Sequence, residues 1–420
     1  MDDKIIFNIA TFLGKVKNDS KLLSHGIWLI KHICVNQEIN QILLDYKIID
    51  FLGEIYERHL LDKDFMRNLI IIIANFINIQ LNINQNTSNI KLYFEPIIRI
   101  IQTQLRPNLP SNLLRDYIHY LYKLTNFHSN EIYYKMVDCK LHKEFINFYP
   151  LIIEKINELN MKIKEYESNY NNGMNISINN DELKTLQNNV ENYSQICMLI
   201  LKILGKLMYL EDGIITQILI DNGISKFLNF ALETSSNIRI IKNVFFCISN
   251  ICASSYGQIS DLFNNNTIVK AINIGKNIYE ALNSCSNCES VYYKTLVDAF
   301  REVNFVFSLS IINLIKEKFI PLAIHDNFIV VMILIKGLNM FAEKECSDLT
   351  YCIFKALYTL SLYDDLDKKV RFIEIMEKNG VKEYIDKLIK NKNLNYVNYK
   401  DTVEKLYEAF SNDFQIDNNL

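Results

Sequence analysis

The chain has 420 residues, of which 49% are hydrophobic and 22% charged, with Lys+Arg 45 against Asp+Glu 48. That mix is too apolar for wholesale disorder, and a formal charge of −3 argues against a polybasic nucleic-acid binder, which needs a concentrated positive surface. Only 11 Gly and 5 Pro are present for turns and phosphate loops, which disfavours strand-rich and dinucleotide-binding folds and points to an all-α protein.

Apolar residues recur at i, i+3, i+4 and i+7 in predicted helices separated by short Asn, Asp or Gly links. The first clear phrase is Ile27-Trp28-Leu29-Ile30-Lys31-His32-Ile33. It is followed by a weak turn-and-helix phrase at Tyr46–Leu52 and a second apolar phrase at Ile70–Phe76, with a poor copy around His119 and Lys123. Residues Glu165–Asn192 are polar and poorly periodic, so a flexible insertion is expected at about 160–193. Leu201–Leu207 then repeats the apolar phrase. Asn222-Gly223-Ile224 opens a turn followed by a short helix, Phe245–Ile251 gives another apolar copy, and Ala299–Asn304 a further one. Asn379-Gly380-Val381 repeats the turn. Glycine suits that turn because it tolerates positive φ. Small residues at Ala74, Gly205 and Ser249 precede the polar position of three copies and would let neighbouring helices approach closely.

The copies recur with a period near the low forties. Trp28 to Ile71 is 43 residues, Ile71 to His119 is 48, and Lys202 to Phe246 is 44. The longer gaps, 83 from His119 to Lys202 and 54 from Phe246 to Phe300, fit one period plus the polar insertion and one period plus a smaller one at Ala281–Val291. Two or three helices per unit at this period is the armadillo/HEAT pattern. The expected fold is a right-handed α-solenoid, or superhelix, of about eight armadillo repeats. Residues 1–412 are expected to form one continuous array and 413–420 a short disordered tail.

The nine cysteines are odd in number and mostly lie in apolar helical runs, as reduced thiols of a cytosolic or nuclear protein do. Met-Asp-Asp-Lys at the start lacks the pattern of a secretory signal. The apolar runs are broken by Asn75 and Asn78, by Lys202 and Lys206, and by Lys336 and Asn339, short of the roughly 18–20 residues that cross a bilayer. A soluble chain without membrane contact is expected. Cys285-Ser286-Asn287-Cys288 is a lone CxxC with no His at finger spacing, so no metal is expected. No nucleophile motif or phosphate loop is present, which implies no enzymatic activity and no cofactor.

Asp212-Gly213 through Asn222-Gly223, followed by Asn237-Ile238-Arg239 and Lys242 through Ser254, is similar to a passage of the importin-alpha family. Met66-Arg67-Asn68-Leu69 through Asn75 and Gly380 through Phe410 also resemble that family. The resemblance implies a concave groove lined by the third helix of each repeat. An aromatic ring and an Asn at i and i+4 share one face there. The amide bonds the backbone of an extended peptide, and the rings flank Lys stems. The ring positions here read Trp28, Ile71, His119, Lys202, Phe246 and Phe300. The amide positions read His32, Asn75, Lys123, Lys206, Asn250 and Asn304. The implied peptide contacts are Trp28, Asn75, Lys202, Phe246, Asn250, Phe300 and Asn304. Phe246/Asn250 and Phe300/Asn304 are the complete pairs, and they match the family's C-terminal minor site. Asn68 and Asn243 replace the family's acidic residues.

The resemblance therefore implies a nuclear-transport adaptor that binds basic nuclear-localisation peptides mainly through its C-terminal repeats, in cytoplasm and nucleus, with no direct nucleic-acid contact. The sequence opens at the family's third repeat without its Arg-rich segment, which leaves importin-beta a doubtful partner. The alternatives are an armadillo scaffold that has lost signal-peptide binding and a HEAT-like structural subunit.

Overall fold

A computed structural model describes residues 3–16, 18–46, 48–55, 65, 68–69, 71–73, 75–76, 98–99, 101–102, 105–106, 108–127, 130–171, 180–210, 213–285, 287–313, 316–341, 347–362, 366–391 and 400–412. Among them the regular structure is helical throughout, with no strand. In chain order the helices are α1 (Asp3–Val16), α2 (Ser20–Ile33), α3 (Gln37–Asp45), α4 (Ile48–Ile55), α5 (Ser111–Leu124), α6 (Asn130–Asp138), α7 (Leu141–Asn171), α8 (Asn180–Leu207), α9 (Ile214–Asp221), α10 (Ile224–Thr234), α11 (Ile238–Cys252), α12 (Tyr256–Asn264), α13 (Thr267–Ser284), α14 (Val291–Asn313), α15 (Lys316–Phe341), α16 (Ser347–Ser361), α17 (Leu366–Lys378), α18 (Val381–Asn391) and α19 (Lys400–Asn412). No helix among the described residues is long and apolar enough to cross a membrane.

Two compact units divide the chain, Met1–Leu204 and Gly205–Leu420. The stretch expected as a flexible insertion is helical on both sides, up to Asn171 in α7 and from Asn180 in α8. The expected tail at 413–420 lies outside the described residues.

Helix starts are set locally. The Asp19 carboxylate accepts from the N–H groups of Lys21 and Leu22 at 3.1 and 3.0 Å and opens α2. Asn237 accepts from Arg239 N–H at 2.9 Å and opens α11. Each cap satisfies backbone donors that the first helical turn leaves unpaired.

The turn between the two shorter helices of a repeat is where the backbone is most distinctive. Gly223 and Gly380 take φ of 84° and 77°, as the Asn-Gly phrases predict. Asn222 and Asn379 each donate from Nδ2 to the carbonyl four residues back, at 2.7 and 2.8 Å, closing the end of the preceding helix. Three further residues adopt positive φ without glycine: Lys140 (59°), Asn266 (58°) and Phe328 (62°). Lys140 lies between α6 and α7, and Asn266 between α12 and α13; Asn265 donates to the Asp261 carbonyl at 2.8 Å as Asn222 and Asn379 do at their turns. Phe328 lies within α15, in an Asp326-Asn327-Phe328-Ile329 phrase that copies Asp221-Asn222-Gly223-Ile224. The repeat is thus written in the backbone, 83 residues from Lys140 to Gly223 and 43 from Gly223 to Asn266.

Within the second unit, like helices stack on like. The third helices α11, α14, α16 and α19 pack in succession, the second helices α10 and α13 pack together, and the first helices α9 and α12 do the same. Hydrogen bonds between repeats carry the same period. The Gln258 amide donates to Gly213 O at 2.9 Å, 45 residues away, and Thr267 Oγ1 to Ser225 O at 3.2 Å, 42 away. Successive layers are sealed by side chains without exposure, among them Leu219, Leu228, Val244, Phe245, Ile248, Leu262, Ile268, Val303 and Phe307. Each unit buries a continuous apolar seam by stacking, as repeat proteins do.

In the first unit, α1 packs against α2 and α3, and α6 against α7. There α5 is tied to α8 by Ser111 Oγ donating to Asn189 Oδ1 and by Arg115 Nη1 donating to Asn192 Oδ1, both at 2.7 Å.

Candidate functional site

In the second unit, Phe246 and Asn250 stand one turn apart on α11, half-buried, and line one cavity of about 430 Å³. Its other walls are Tyr209, Ser249 and Ala253, then Arg301, Glu302, Phe305 and Leu309 of α14, and Asp348 and Leu349 at the start of α16. Gly205 makes the pairing possible. A β-carbon there would come within 2.4 Å of the Phe246 ring, so the expected close approach at this small residue is real. Asn250 Nδ2 donates to Gly205 O at 2.9 Å, 45 residues away. That bond fixes the side chain and commits one of its donor hydrogens, leaving Oδ1 and one hydrogen for a ligand.

Glu302 is buried, with 7% of the residue exposed. Burial holds its pKa above the ordinary carboxylate value, and Arg301, at 3.4 Å, opposes that rise. Lys242, one turn before Phe246, is paired with Asp298 at 2.7 Å. Two carboxylates and one guanidinium among aromatic walls give a cavity with net acidic character, suited to a cationic side chain.

The second aromatic–amide pair does not form. Phe300 is 0% exposed, with its ring 6.4 Å from Tyr279 and 6.3 Å from Phe341. Asn304 is 0% exposed; its Nδ2 donates to Phe300 O at 2.8 Å and its Oδ1 has no hydrogen-bond partner among the described residues. A β-carbon on Gly337 of α15 would lie 2.1 Å from that oxygen. Phe300 and Asn304, expected as peptide contacts, are therefore interior residues between helices. The positions of α14 that reach the cavity are one residue later, Arg301 and Phe305, together with Glu302 and Leu309. Their i, i+4, i+8 spacing was available in the sequence. What hid it is that α14 carries apolar residues on nearly every face.

The remaining expected contacts lie mostly in the first unit. Trp28 is 53% exposed and packs against His32 with ring centroids 4.3 Å apart. Asn75 is half-buried and donates from Nδ2 to Cys34 Sγ at 3.3 Å. Lys31 Nζ donates to Asn68 Oδ1 at 3.1 Å. Asn243 is buried and donates to Arg239 O at 2.7 Å. Lys202 lies with Nζ 5.5 Å from the Tyr122 ring centroid. It lines a second cavity, of about 360 Å³, with Arg115, Asp116, His119, Gln195, Met198 and Leu199. The expected ring positions His119 and Lys202 thus meet across adjacent third helices. Burial first, and then Lys123, hold the His119 pKa below its ordinary value.

Among the described residues no cluster of three or more His, Cys, Asp or Glu could hold a metal. Cys285 and Cys288 are free thiols in the link before α14. Cys34, Cys197, Cys247 and Cys252 are buried and form no disulfide among the described residues. Burial pushes the thiol pKa of Cys252 up to about 12 and that of Cys352 to about 11, so neither is a nucleophile at neutral pH.

No protein-family model matches the chain, and no curated protein matches it. Among solved structures, one from work on a phosphorylation switch controlling the interaction between cadherin and beta-catenin aligns with a TM-score of 0.58 at 11% identity, over 95% of this chain and 67% of that one. The designed armadillo repeat protein YIII(Dq)4CqI aligns at 0.47 and 13% identity, over 76% of this chain and 99% of its own. A second design, YIII(Dq.V1)4CPAF in complex with peptide (KR)4, aligns at 0.46 and 13%, with the same coverage. Scores below 0.5 carry no weight, and identities this low speak only to fold. With the helix triplets, the recurrent left-handed turn and the stacked third helices, this likeness makes the chain an all-α protein of the armadillo-repeat fold.

Proposed function

We propose that this chain is a non-enzymatic armadillo scaffold that binds an extended basic peptide, with one cationic side chain seated in the Phe246/Asn250 cavity. The observation that carries this reading is the convergence of Phe246, Phe305 and Tyr209 with the Glu302 and Asp348 carboxylates around an amide held by Gly205. Aromatic faces take a Lys or Arg stem, the carboxylates select its sign, and Asn250 bonds the peptide backbone. In its specific form the reading is an importin-alpha-like adaptor for nuclear-localisation peptides, moving between cytoplasm and nucleus. The preserved Phe246/Asn250 pair supports it.

The burial of Phe300 and Asn304 favours a second reading, an armadillo scaffold for another protein partner that no longer binds such signals. Fluorescence polarisation with a labelled Lys/Arg-rich octapeptide separates the two. Under the first reading the peptide binds in a salt-sensitive manner. Asn250→Ala then weakens it about 2- to 10-fold, the worth of one hydrogen bond, and Glu302→Gln also weakens it. Absence of binding at low salt, or binding indifferent to both substitutions, overturns the first reading in favour of the second.

A further inference from the structure

The cavity of the first unit has the opposite electrostatic character. Its walls carry the cations Arg115 and Lys202 against a single carboxylate, Asp116, beside a His119 ring that burial and the neighbouring cations keep neutral, over a floor of Met198 and Leu199. Lys123 lies close enough to act on His119 alongside Arg115 and Lys202. Arg115 is built into the wall: Nε and Nη2 donate to Asp116 Oδ1 at 3.3 and 2.9 Å, and Nη1 donates to Asn192 Oδ1 at 2.7 Å. Asn192 is in turn held by its Nδ2 donating to Ser111 Oγ at 3.1 Å, and Ser111 donates to Asn189 at 2.7 Å. A guanidinium fixed in this way meets a ligand without ordering cost. Lys202, carried over Tyr122, reaches the cavity from the facing helix.

We infer that this cavity is a second peptide-binding site, separate from the Phe246/Asn250 cavity, and that it takes the carboxylate of an acidic peptide segment, gripped between Arg115 and Lys202 while its aliphatic stem rests on Met198 and Leu199. A carboxylate fits better than a phosphate. Arg115 spends three of its five N–H groups on Asp116 and Asn192, which leaves one hydrogen on each terminal nitrogen. That suffices for a singly charged group but poorly serves a dianion with three acceptor oxygens.

The test uses the full chain and a fluorescein-labelled octapeptide of alternating Glu and Ala, read by polarisation at low salt. Binding is expected, with affinity falling as salt rises. Lys202→Glu should weaken it roughly tenfold or more, and Lys202→Arg should hold it within about threefold. Thermal unfolding by circular dichroism confirms that both variants remain folded, and Lys202→Gln, with an intermediate loss, serves should the Glu variant fail to fold. Glu302→Gln should leave acidic-peptide binding unchanged, so this site and the basic-peptide site fail or succeed independently. The inference is overturned if the acidic peptide does not bind, if Lys202→Glu and Lys202→Gln leave it unaffected, if a phosphoserine peptide of equal charge binds more tightly, or if the Lys/Arg octapeptide displaces it.

Discussion

Replacing Phe300 by Ala separates an interior role from a ligand contact. The ring has no exposure and lies between Tyr279 of α13 and Phe341 of α15, at centroid distances of 6.4 and 6.3 Å. Truncation removes a whole buried ring whose neighbours belong to three packed helices, so the site collapses only in part. The expected cost is about 3–5 kcal/mol, transfer and cavity contributions together. Phe246 is half-buried against Gly205, and its truncation should cost about 1–2 kcal/mol. Urea unfolding followed by far-ultraviolet circular dichroism is the assay. The single tryptophan, Trp28, is in the first unit and does not report on the second. Phe300→Ala should move the transition of the second unit to markedly lower urea, and at temperatures where the variant is still folded it should bind the Lys/Arg peptide as the parent does. Phe246→Ala should show the reverse. If Phe300→Ala were to cost under about 1 kcal/mol while lowering peptide affinity as Phe246→Ala does, the placement of this ring in the core would be refuted.

Three further outcomes are expected. Gly337→Ala brings a β-carbon to 2.1 Å from Asn304 Oδ1, so it should destabilise the second unit by about 1–3 kcal/mol; Asn304→Ala in the same chain should recover most of the loss, and a double-mutant cycle in urea measures this. Gly223→Ala, at φ 84°, should cost about 1 kcal/mol, whereas Gly14→Ala, in α1 with open space around it, should gain up to about 1 kcal/mol; a common sign in thermal melts would contradict the backbone argument. His142 is 2% exposed, has no hydrogen-bond partner among the described residues, and has its pKa pushed down to about 4 by burial, with Lys143 adding to the effect. A depressed histidine stabilises fully above the unfolded value near 6.5 and loses that contribution as pH falls toward 4. The first unit should lose about 2 kcal/mol over that window, after allowing for solvent near the ring, and His142→Phe should flatten the dependence in pH-resolved melts.

Much of the repeat was legible in the residues themselves. The Asn-Gly phrases at 222–223 and 379–380 marked turns that occur where expected, with positive φ at both glycines. The 44-residue step from Lys202 to Phe246 placed Gly205 next to the Phe246 ring and Asn250 within reach of the Gly205 carbonyl. The copies of the turn at Lys140, Asn266 and Phe328 were missed because the reading keyed on glycine. Lysine and phenylalanine give no signal for the left-handed backbone seen at Lys140 and Phe328, whereas at Asn266 the asparagine itself favours it. At Phe328 a ring 5.3 Å from Phe372 helps offset the backbone cost. In the polar stretch expected as an insertion, the exposed faces of α7 and α8 carry Asn and Glu, so few apolar residues mark the helical period there.

The sequence by itself determined that this chain is helical, that its helices come in recurring sets about 43 residues apart, and that their apolar faces must be covered by neighbouring copies. It could not determine which face of α14 looks outward. A helix turns about 100° per residue, so a shift of one position moves a side chain from the interior to the cavity. Where a helix is apolar on nearly all sides, the pattern carries too little contrast to fix that rotation. Packing against α11, α15 and α16 fixed it, burying Phe300 and Asn304 and turning Arg301 and Phe305 toward the cavity. The charge of each cavity was settled in the same way, because residues far apart in the chain, Glu302 with Asp348 and Arg115 with Lys202, share a wall only after the repeats have stacked.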